Sequence, residues 1–299
     1  MQHITGKTKL LGVIGDPIAH SLSPLIHNAA LQKLGRDYVY VAFPIKAENL
    51  EAAIAGFQAF GLVGFSITIP HKQTIIPLLD SITPTAQLVG AVNTVRRTEI
   101  GWQGTNTDVE GFIAPLKTLD RDWTKVHPVV LGIGGAARAV VVGLAQLGCP
   151  KIEVVGRNLA KLEAFHRSWQ QSDLPSVVSV HPWENLAQLI PHTELFINTT
   201  PVGMAPHTNQ SPLSEELLQK LSPSAIAYDL IYTPSPTRFL QQAQSQGNIT
   251  IDGLEMLVQQ GAAALQLWLD EPVPVDTMRQ TLKNYLILIN CVFLKKKGK

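Results

Sequence analysis

The sequence predicts an α/β protein of two domains, the second of them a doubly wound parallel sheet with helices on both faces. Three observations carry this. Strand-like and helix-like runs alternate from about residue 10 onward, the pattern of parallel strands joined by helices. A glycine-rich stretch at 129–140, VVLGIGGAARAV, joins an apolar run to a helix-like one. Its Gly132, Gly134 and Ala137 have the G-x-G-x-x-G/A spacing of a dinucleotide-binding turn. The length of 299 residues suits two domains of ordinary size, each able to bury a core.

In chain order, residues 10–14 form a short apolar strand, broken by Gly15, Asp16 and Pro17. Pro24 opens a helix to about residue 34, with Leu25, Ile26, Ala29, Ala30 and Leu34 at helical spacing. A strand at 38–43, a helix at 50–60 and a strand at 64–69 follow, then helical turns at 74–79 and 84–89. Residues 91–97 and 100–104 read as a strand pair around a polar turn. Asn106, Thr107 and Asp108 precede a helix to about residue 119, and the chain crosses to the second domain near Asp108. The loop 120–125 leads to a strand through Val129, with the glycine-rich turn behind it. Further strands are expected at 151–155, 177–180, 195–198, 225–229 and 249–251, close to a complete doubly wound sheet. Residues 254–269 are helical, and another helix starts after Pro274. The nearly all-apolar 285–294, followed by basic 295–299, reads as a final helix packing on a domain, or else as a docking element. It is too short to span a bilayer.

Composition narrows the function. Lys+Arg 24 against Asp+Glu 23 gives no bulk basic character, so neither nucleic acid nor an anionic membrane is an expected partner. Cys149 and Cys291 form no spaced metal motif and fit a reducing cytoplasm. The N-terminal apolar run is too short for a signal peptide, and no stretch has the roughly 18 apolar residues of a membrane span. A compact cytoplasmic protein acting on small molecules is expected.

The glycine-rich turn has a physical logic. The first glycine makes the tight turn, the second lets a pyrophosphate approach the backbone, and the third small residue lets the helix pack on the strand. The helix start then offers free N–H groups and the positive end of its dipole. In NAD-binding folds the second strand ends in an acidic residue for the ribose 2′-OH. Here it ends Val154-Val155-Gly156-Arg157-Asn158, with no carboxylate. Arg157 can pair a 2′-phosphate in two-pronged geometry and Lys161 can add a charge, so NADP is the expected cofactor.

Other stretches carry polar chemistry. In His20-Ser21-Leu22-Ser23-Pro24, Ser23 suits an N-cap and Pro24 the first helical position. Ser21 is not needed for a cap, and two hydroxyls beside a helix start suit a small anion such as a carboxylate. In the strand around Ser66-Ile67-Thr68-Ile69-Pro70-His71-Lys72, Ser66 and Thr68 share a face, and Lys72 lies past the C-terminal end, where open α/β sheets bind ligands. Asn93 falls in an apolar strand, where a bare amide is costly. Asp108 stands where it can cap a helix or face a ligand. Met256 and Gln260, four apart, share a helix face.

Taken together, GDPIAHSLSPLIHN, TIPHK, AVNTV, GTNTD, GIGGAARA, INTTPVGM, DLIY and DGLEMLVQQGA occur in the order found in the shikimate dehydrogenase family, and the chain resembles that family from Leu10 to about Leu282. The resemblance implies a discontinuous substrate domain, 1–107 plus 254–299, with the C-terminal helices returning to it, and a Rossmann-type NADP domain at 108–253. It implies reversible NADPH-dependent reduction of 3-dehydroshikimate to shikimate, in aromatic amino-acid biosynthesis. By motif match, Ser21 and Ser23 hold the substrate carboxylate. Thr68, Asn93 and Gln260 surround the ring hydroxyls, with Tyr232 nearby. Lys72 and Asp108 form the catalytic pair, with Lys72 either accepting the proton or stabilising developing alkoxide. Gly132, Gly134, Gly135 and Ala136 hold the pyrophosphate. Arg157, Asn158 and Lys161 take the 2′-phosphate end, and Thr199, Gly253 and Met256 line the rest of the cofactor, with the last two bordering the nicotinamide. No metal is implied, and either a monomer or a homodimer is compatible.

Three features depart from the family pattern. Ser66 stands where the strand motif usually has Asn. Gly156-Arg157-Asn158, with Lys161, replaces the usual Asn-Arg-Thr and further Arg. The Lys-rich tail has no counterpart. A quinate/shikimate dehydrogenase of dual specificity is the nearest alternative. A noncatalytic NADP-binding sensor on the same fold is a more distant one, disfavoured because Ser21, Lys72, Asn93, Asp108 and Gln260 are all present.

Overall fold

The structure, a computed structural model, describes residues 3–170 and 172–297, apart from the side chains at 175 and 289–297. The chain divides into two compact units. One holds the chain up to Ala86, Ala91–Thr107 and the chain from Val258 onward, and the other holds Gln87–Gly90 and Asp108–Leu257. Residues 87–90 and 254–257, grouped by sequence with the first domain, fall in the second unit. The first segment does so because the Leu88 and Val89 carbonyls accept from the Trp169 indole and the Arg138 guanidinium. The second does so because the first turn of its helix bonds to Asp252 and Gly253.

The first unit opens with β1 (Lys9–Gly15), α1 (Ser23–Lys33), β2 (Tyr38–Pro44), α2 (Leu50–Ala59) and β3 (Gly64–Ile67). It continues with the two-residue β4 (Ser81–Ile82), α3 (Pro84–Val89), β5 (Thr94–Thr98) and β6 (Gly101–Thr105). The strand order is β2-β1-β3-β5-β6-β4. The β2-β1-β3 half is parallel, while β5 and β6 form an antiparallel hairpin paired antiparallel to β3. β4 pairs parallel with β6, so the first sheet is mainly parallel, as expected, with the β5-β6 hairpin as its antiparallel part. From Leu11 to Gly15, β1 is buried on both faces, as a central parallel strand must be. Ile54, Phe57, Leu62, Phe65 and Ile67 form part of one core layer.

A second layer of the first unit contains His27, Tyr40 and Trp268. The fully buried His27 stacks on Tyr40 at 4.1 Å and 8°, with Trp268 at 5.6 Å. Neither His27 nitrogen has a hydrogen-bond partner, and burial pushes its pKa down to about 3. The Trp268 indole donates to the Val95 carbonyl at 2.9 Å and lies so close to Gly64 that a Cβ there would overlap it.

The second unit runs α4 (Asp108–Lys117), β7 (Pro128–Leu131), α5 (Gly135–Gln146), β8 (Ile152–Gly156), α6 (Leu159–Arg167), β9 (Val178–Pro182), α7 (Leu186–Leu189), β10 (Leu195–Asn198), α8 (Glu215–Leu218), β11 (Ile226–Asp229), α9 (Arg238–Ser245) and β12 (Ile249–Ile251). All six strands are parallel, in the order β12-β11-β10-β7-β8-β9. This is the doubly wound Rossmann order, and its switch point lies between β7 and β10. Val129, Leu131, Val155, Phe196, Ala227 and Phe239 fill the core of one face.

α10 (Leu254–Leu269) and α11 (Val275–Lys297) complete the chain. Met278 and Leu282 are buried, but Tyr285, Ile287 and Leu288 are exposed. The expected packing of the apolar tail therefore does not extend to those three positions. The tail's side chains from 289 onward, and residues 298 and 299, lie outside the described residues. No described helix is long and apolar enough to cross a membrane.

Candidate active site

In the first unit, the expected substrate residues gather near the C-terminal ends of β1 and β3. Thr68 lies one residue beyond β3. Its N–H donates to the Ile14 carbonyl at 3.0 Å, and its own carbonyl accepts the His71 N–H at 3.0 Å. His71 is fully buried, and its ring Nε2 donates to the Ile45 carbonyl at 2.6 Å. The half-buried Lys72 follows, and its carbonyl accepts the Val92 N–H at 2.7 Å. That bond seats Lys72 beside the entry to β5. Ser66 is buried inside β3, in register with Thr94.

Asn93 lies just before β5 rather than inside a strand, and the protein itself provides partners for its amide. Its Oδ1 accepts the Thr107 N–H at 2.8 Å and the Thr94 hydroxyl at 3.0 Å. Its Nδ2 donates to the Thr107 hydroxyl oxygen at 3.0 Å and reaches Gln260 Oε1 at 3.5 Å. The Thr107 hydroxyl in turn donates to the Gln260 carbonyl at 3.0 Å. Asn93, Thr107 and Gln260 thus form one polar cluster, in which Thr107, read from the sequence only as part of the Asn106-Thr107-Asp108 stretch, links the other two.

Ser23 does not take the N-cap position expected of it. Leu22, at φ −93° and ψ 1°, is the residue before α1, so Ser23 is already helical and makes no cap bond. Ser21 Oγ instead accepts the Ser23 N–H at 3.3 Å. The lone pair facing the helix is used, and the hydroxyl hydrogen remains for an acceptor outside it.

In the second unit, Asp108 is buried as the first residue of α4, where the helix dipole favours a carboxylate. Thr107, not Asp108, therefore precedes the helix. The glycine-rich turn sits at the switch point. Gly132 has φ +119°, a left-handed value that only glycine adopts readily. A Cβ there would meet the Thr199 hydroxyl, which donates to the Leu131 carbonyl at 2.8 Å. Gly134 is extended and opens α5, and a Cβ there would meet nothing within 4 Å. Nothing in the chain requires glycine at 134, whereas the room in front of it suits a pyrophosphate. Gly135 and Ala136 lie in the first turn, whose N–H groups have no intrahelical acceptor. Ala137 is fully buried against the sheet.

Arg157, Asn158 and Lys161 are exposed just past β8. Asn158 caps α6, its Oδ1 accepting the Lys161 N–H at 2.9 Å, so its oxygen serves the helix. With no carboxylate from 156 to 161, the tip presents cations only, and the donor set fits NADP. Tyr232 is half-buried in the turn after β11. The Gly253 N–H donates to the Ile231 carbonyl at 3.2 Å, and a Cβ on Gly253 would overlap the Leu230 carbonyl. Met256 is buried in the first turn of α10. Among the described residues, no group of three or more His, Cys, Asp or Glu could hold a metal ion.

The family model described as the shikimate dehydrogenase substrate binding domain matches residues 13–95, and that of the shikimate 5'-dehydrogenase C-terminal domain matches residues 253–283. A protein of Gloeothece citriformis named shikimate dehydrogenase (NADP(+)) is 61% identical over 96% of this chain and 100% of its own. One of the same name from a Synechocystis strain is 63% identical over 96% of this chain and 99% of its own. The crystal structure of a shikimate dehydrogenase in complex with NADP+ superposes with a TM-score of 0.86 at 36% identity, over 95% of this chain and 98% of that one. On near full-length identity of this degree, the chain belongs to the shikimate dehydrogenase family.

Proposed function

We propose that this chain is an NADP-dependent shikimate dehydrogenase, which reversibly reduces 3-dehydroshikimate to shikimate in aromatic amino-acid biosynthesis. The observation that carries the reading is the second unit's switch point. There a glycine turn with open space before Gly134 leads into a helix start, and Arg157 and Lys161 stand past β8. The chain is also more than 60% identical to proteins of that name.

NADP supplies the chemistry of hydride transfer, so the protein must bind, orient and handle one proton. Ser21 and Ser23 are assigned to the substrate carboxylate. Thr68, Asn93, Gln260 and Tyr232 are assigned to the ring hydroxyls, and Lys72 and Asp108 to the proton at the reacting oxygen. Gly132, Gly134, Gly135 and Ala136 are assigned to the pyrophosphate, Arg157, Asn158 and Lys161 to the 2′-phosphate end, Thr199 to the cofactor, and Gly253 and Met256 to the border of the nicotinamide. We place the enzyme in the cytoplasm on the sequence argument.

Turnover of shikimate and quinate, each with NADP and NAD, tests the reading. Shikimate with NADP is expected to give the highest kcat/KM, and comparable turnover of quinate would establish dual specificity instead. Arg157→Ala is expected to raise the NADP KM roughly 10- to 100-fold, the worth of a hydrogen bond to a charged group. NAD use should barely change, because NAD lacks the 2′-phosphate. Steady-state kinetics with both cofactors checks this, and equal loss for both would overturn the assignment.

A further inference from the structure

The ends of β10 and β11 hold a polar network that none of these assignments uses. Asp229, the last residue of β11, is fully buried and has three neutral donors. Its Oδ1 accepts Asn198 Nδ2 at 3.0 Å and the Ile231 N–H at 3.1 Å, and its Oδ2 accepts the Thr237 hydroxyl at 2.7 Å. Burial pushes its pKa up to about 7.

Each donor belongs to a different segment. Asn198 is the fully buried last residue of β10, and its Oδ1 accepts the Thr200 N–H at 3.0 Å and hydroxyl at 2.7 Å. It thereby fixes the loop that begins at Thr199. Thr237 caps α9. Ile231 lies in the turn after β11, and its carbonyl accepts the Gly253 N–H at 3.2 Å. Because the Leu230 carbonyl leaves no room for a Cβ on Gly253, a shift of that turn would carry Gly253 and the start of α10 with it.

In a doubly wound dinucleotide fold, each half of the sheet takes one mononucleotide. The β7-β8-β9 half carries the glycine turn and Arg157, which leaves the β10-β11-β12 half for the nicotinamide. We propose that Asp229 is a positioning residue for the nicotinamide half of NADP. By bridging Asn198, Ile231 and Thr237, it holds the loop after β10 and the turn before Gly253 as one preformed surface. A buried carboxyl with neutral partners only is costly for stability, and what it provides here is placement. The inference rests on the NADP reading above.

The test separates the two halves of the cofactor. Adenosine 2′,5′-bisphosphate carries the 2′-phosphate end without nicotinamide. In Asp229→Ala, its inhibition constant is expected to stay within about twofold of wild type, while kcat falls about tenfold or more and the NADP KM rises. Displacements of an ångström at a reacting centre have effects of that size. Asp229→Asn keeps an oxygen for Asn198 and Ile231 and is expected to recover most of the loss. Unchanged kcat and NADP KM in folded Asp229→Ala would overturn the proposal. So would equal weakening of adenosine 2′,5′-bisphosphate, or no recovery in Asp229→Asn. If Asp229→Ala does not fold, Thr237→Val removes one donor and must show the same split at smaller size, with unchanged kinetics overturning the proposal. If wild-type protein binds both nucleotides but does not oxidise shikimate, the substrate reading fails. The Asp229 proposal is then decided by direct binding of NADP against the bisphosphate.

Discussion

Lys72→Ala is expected to lower kcat for shikimate oxidation by about 10²-fold or more, the usual range for a general acid–base group, with little change in shikimate KM. Oxidation removes a hydride from carbon and a proton from its hydroxyl. NADP, when bound, would supply the hydride acceptor, and the proton is assigned to Lys72 and Asp108. Both proton acceptance and stabilisation of developing alkoxide act in the transition state, so both predict loss in kcat rather than KM. The fold should tolerate the change. Lys72 is held by its own backbone, through the Val92 N–H, and by the anchored His71 beside it, while its side chain is only half-buried. Asp108→Asn should also lower kcat, and the double variant should lose less than the product of the singles if the two act as a unit. Near-normal kcat in folded Lys72→Ala, at saturating NADP and shikimate, would mean that another group moves the proton.

Acid sensitivity is expected to depend on His27. Its folded pKa, about 3, lies below the ordinary 6.5 because burial excludes the charged ring. The unfolded chain therefore takes up a proton that the folded chain refuses. The stability tied to neutral His27 is fully present above the unfolded value and is lost as pH falls toward the folded one. Going from about pH 7.5 to about pH 4 should cost wild type on the order of 3 kcal/mol more than His27→Phe. Phenylalanine keeps the stack on Tyr40 and forfeits no hydrogen bond, since neither His27 nitrogen has one. Urea unfolding of both proteins at the two pH values checks this, and parallel losses would show that His27 charges in the folded state.

What the sequence made legible is what short-range pattern encodes. GIGGAARA announces a phosphate turn because its spacing is a steric requirement, and the strand order follows from regular alternation of elements. Contacts distant along the chain were not legible. Thr199 fills the space beside Gly132 from 67 residues away, and Asn93 meets Gln260 across 167. The shift of the cap position from Ser23 to Leu22 turned on the backbone angles of Leu22. A two-residue strand such as β4 has no periodicity to read. The network around Asp229 was hidden for a similar reason. Asn198, Asp229 and Thr237 each look like a strand end or a cap, and only the sheet makes them one group.

The two glycines of the phosphate turn should leave different marks under selection. At Gly132, a side chain must enter a left-handed conformation and displace Thr199. At Gly134, it extends into empty space. Consider a substitution library at both positions, scored once for the amount of folded protein and once for growth of a host lacking its own enzyme on medium without aromatic amino acids. Position 132 should be depleted in both screens. Position 134 should look fully permissive in the first and nearly invariant in the second, so a stability screen alone would pass variants that cannot support growth.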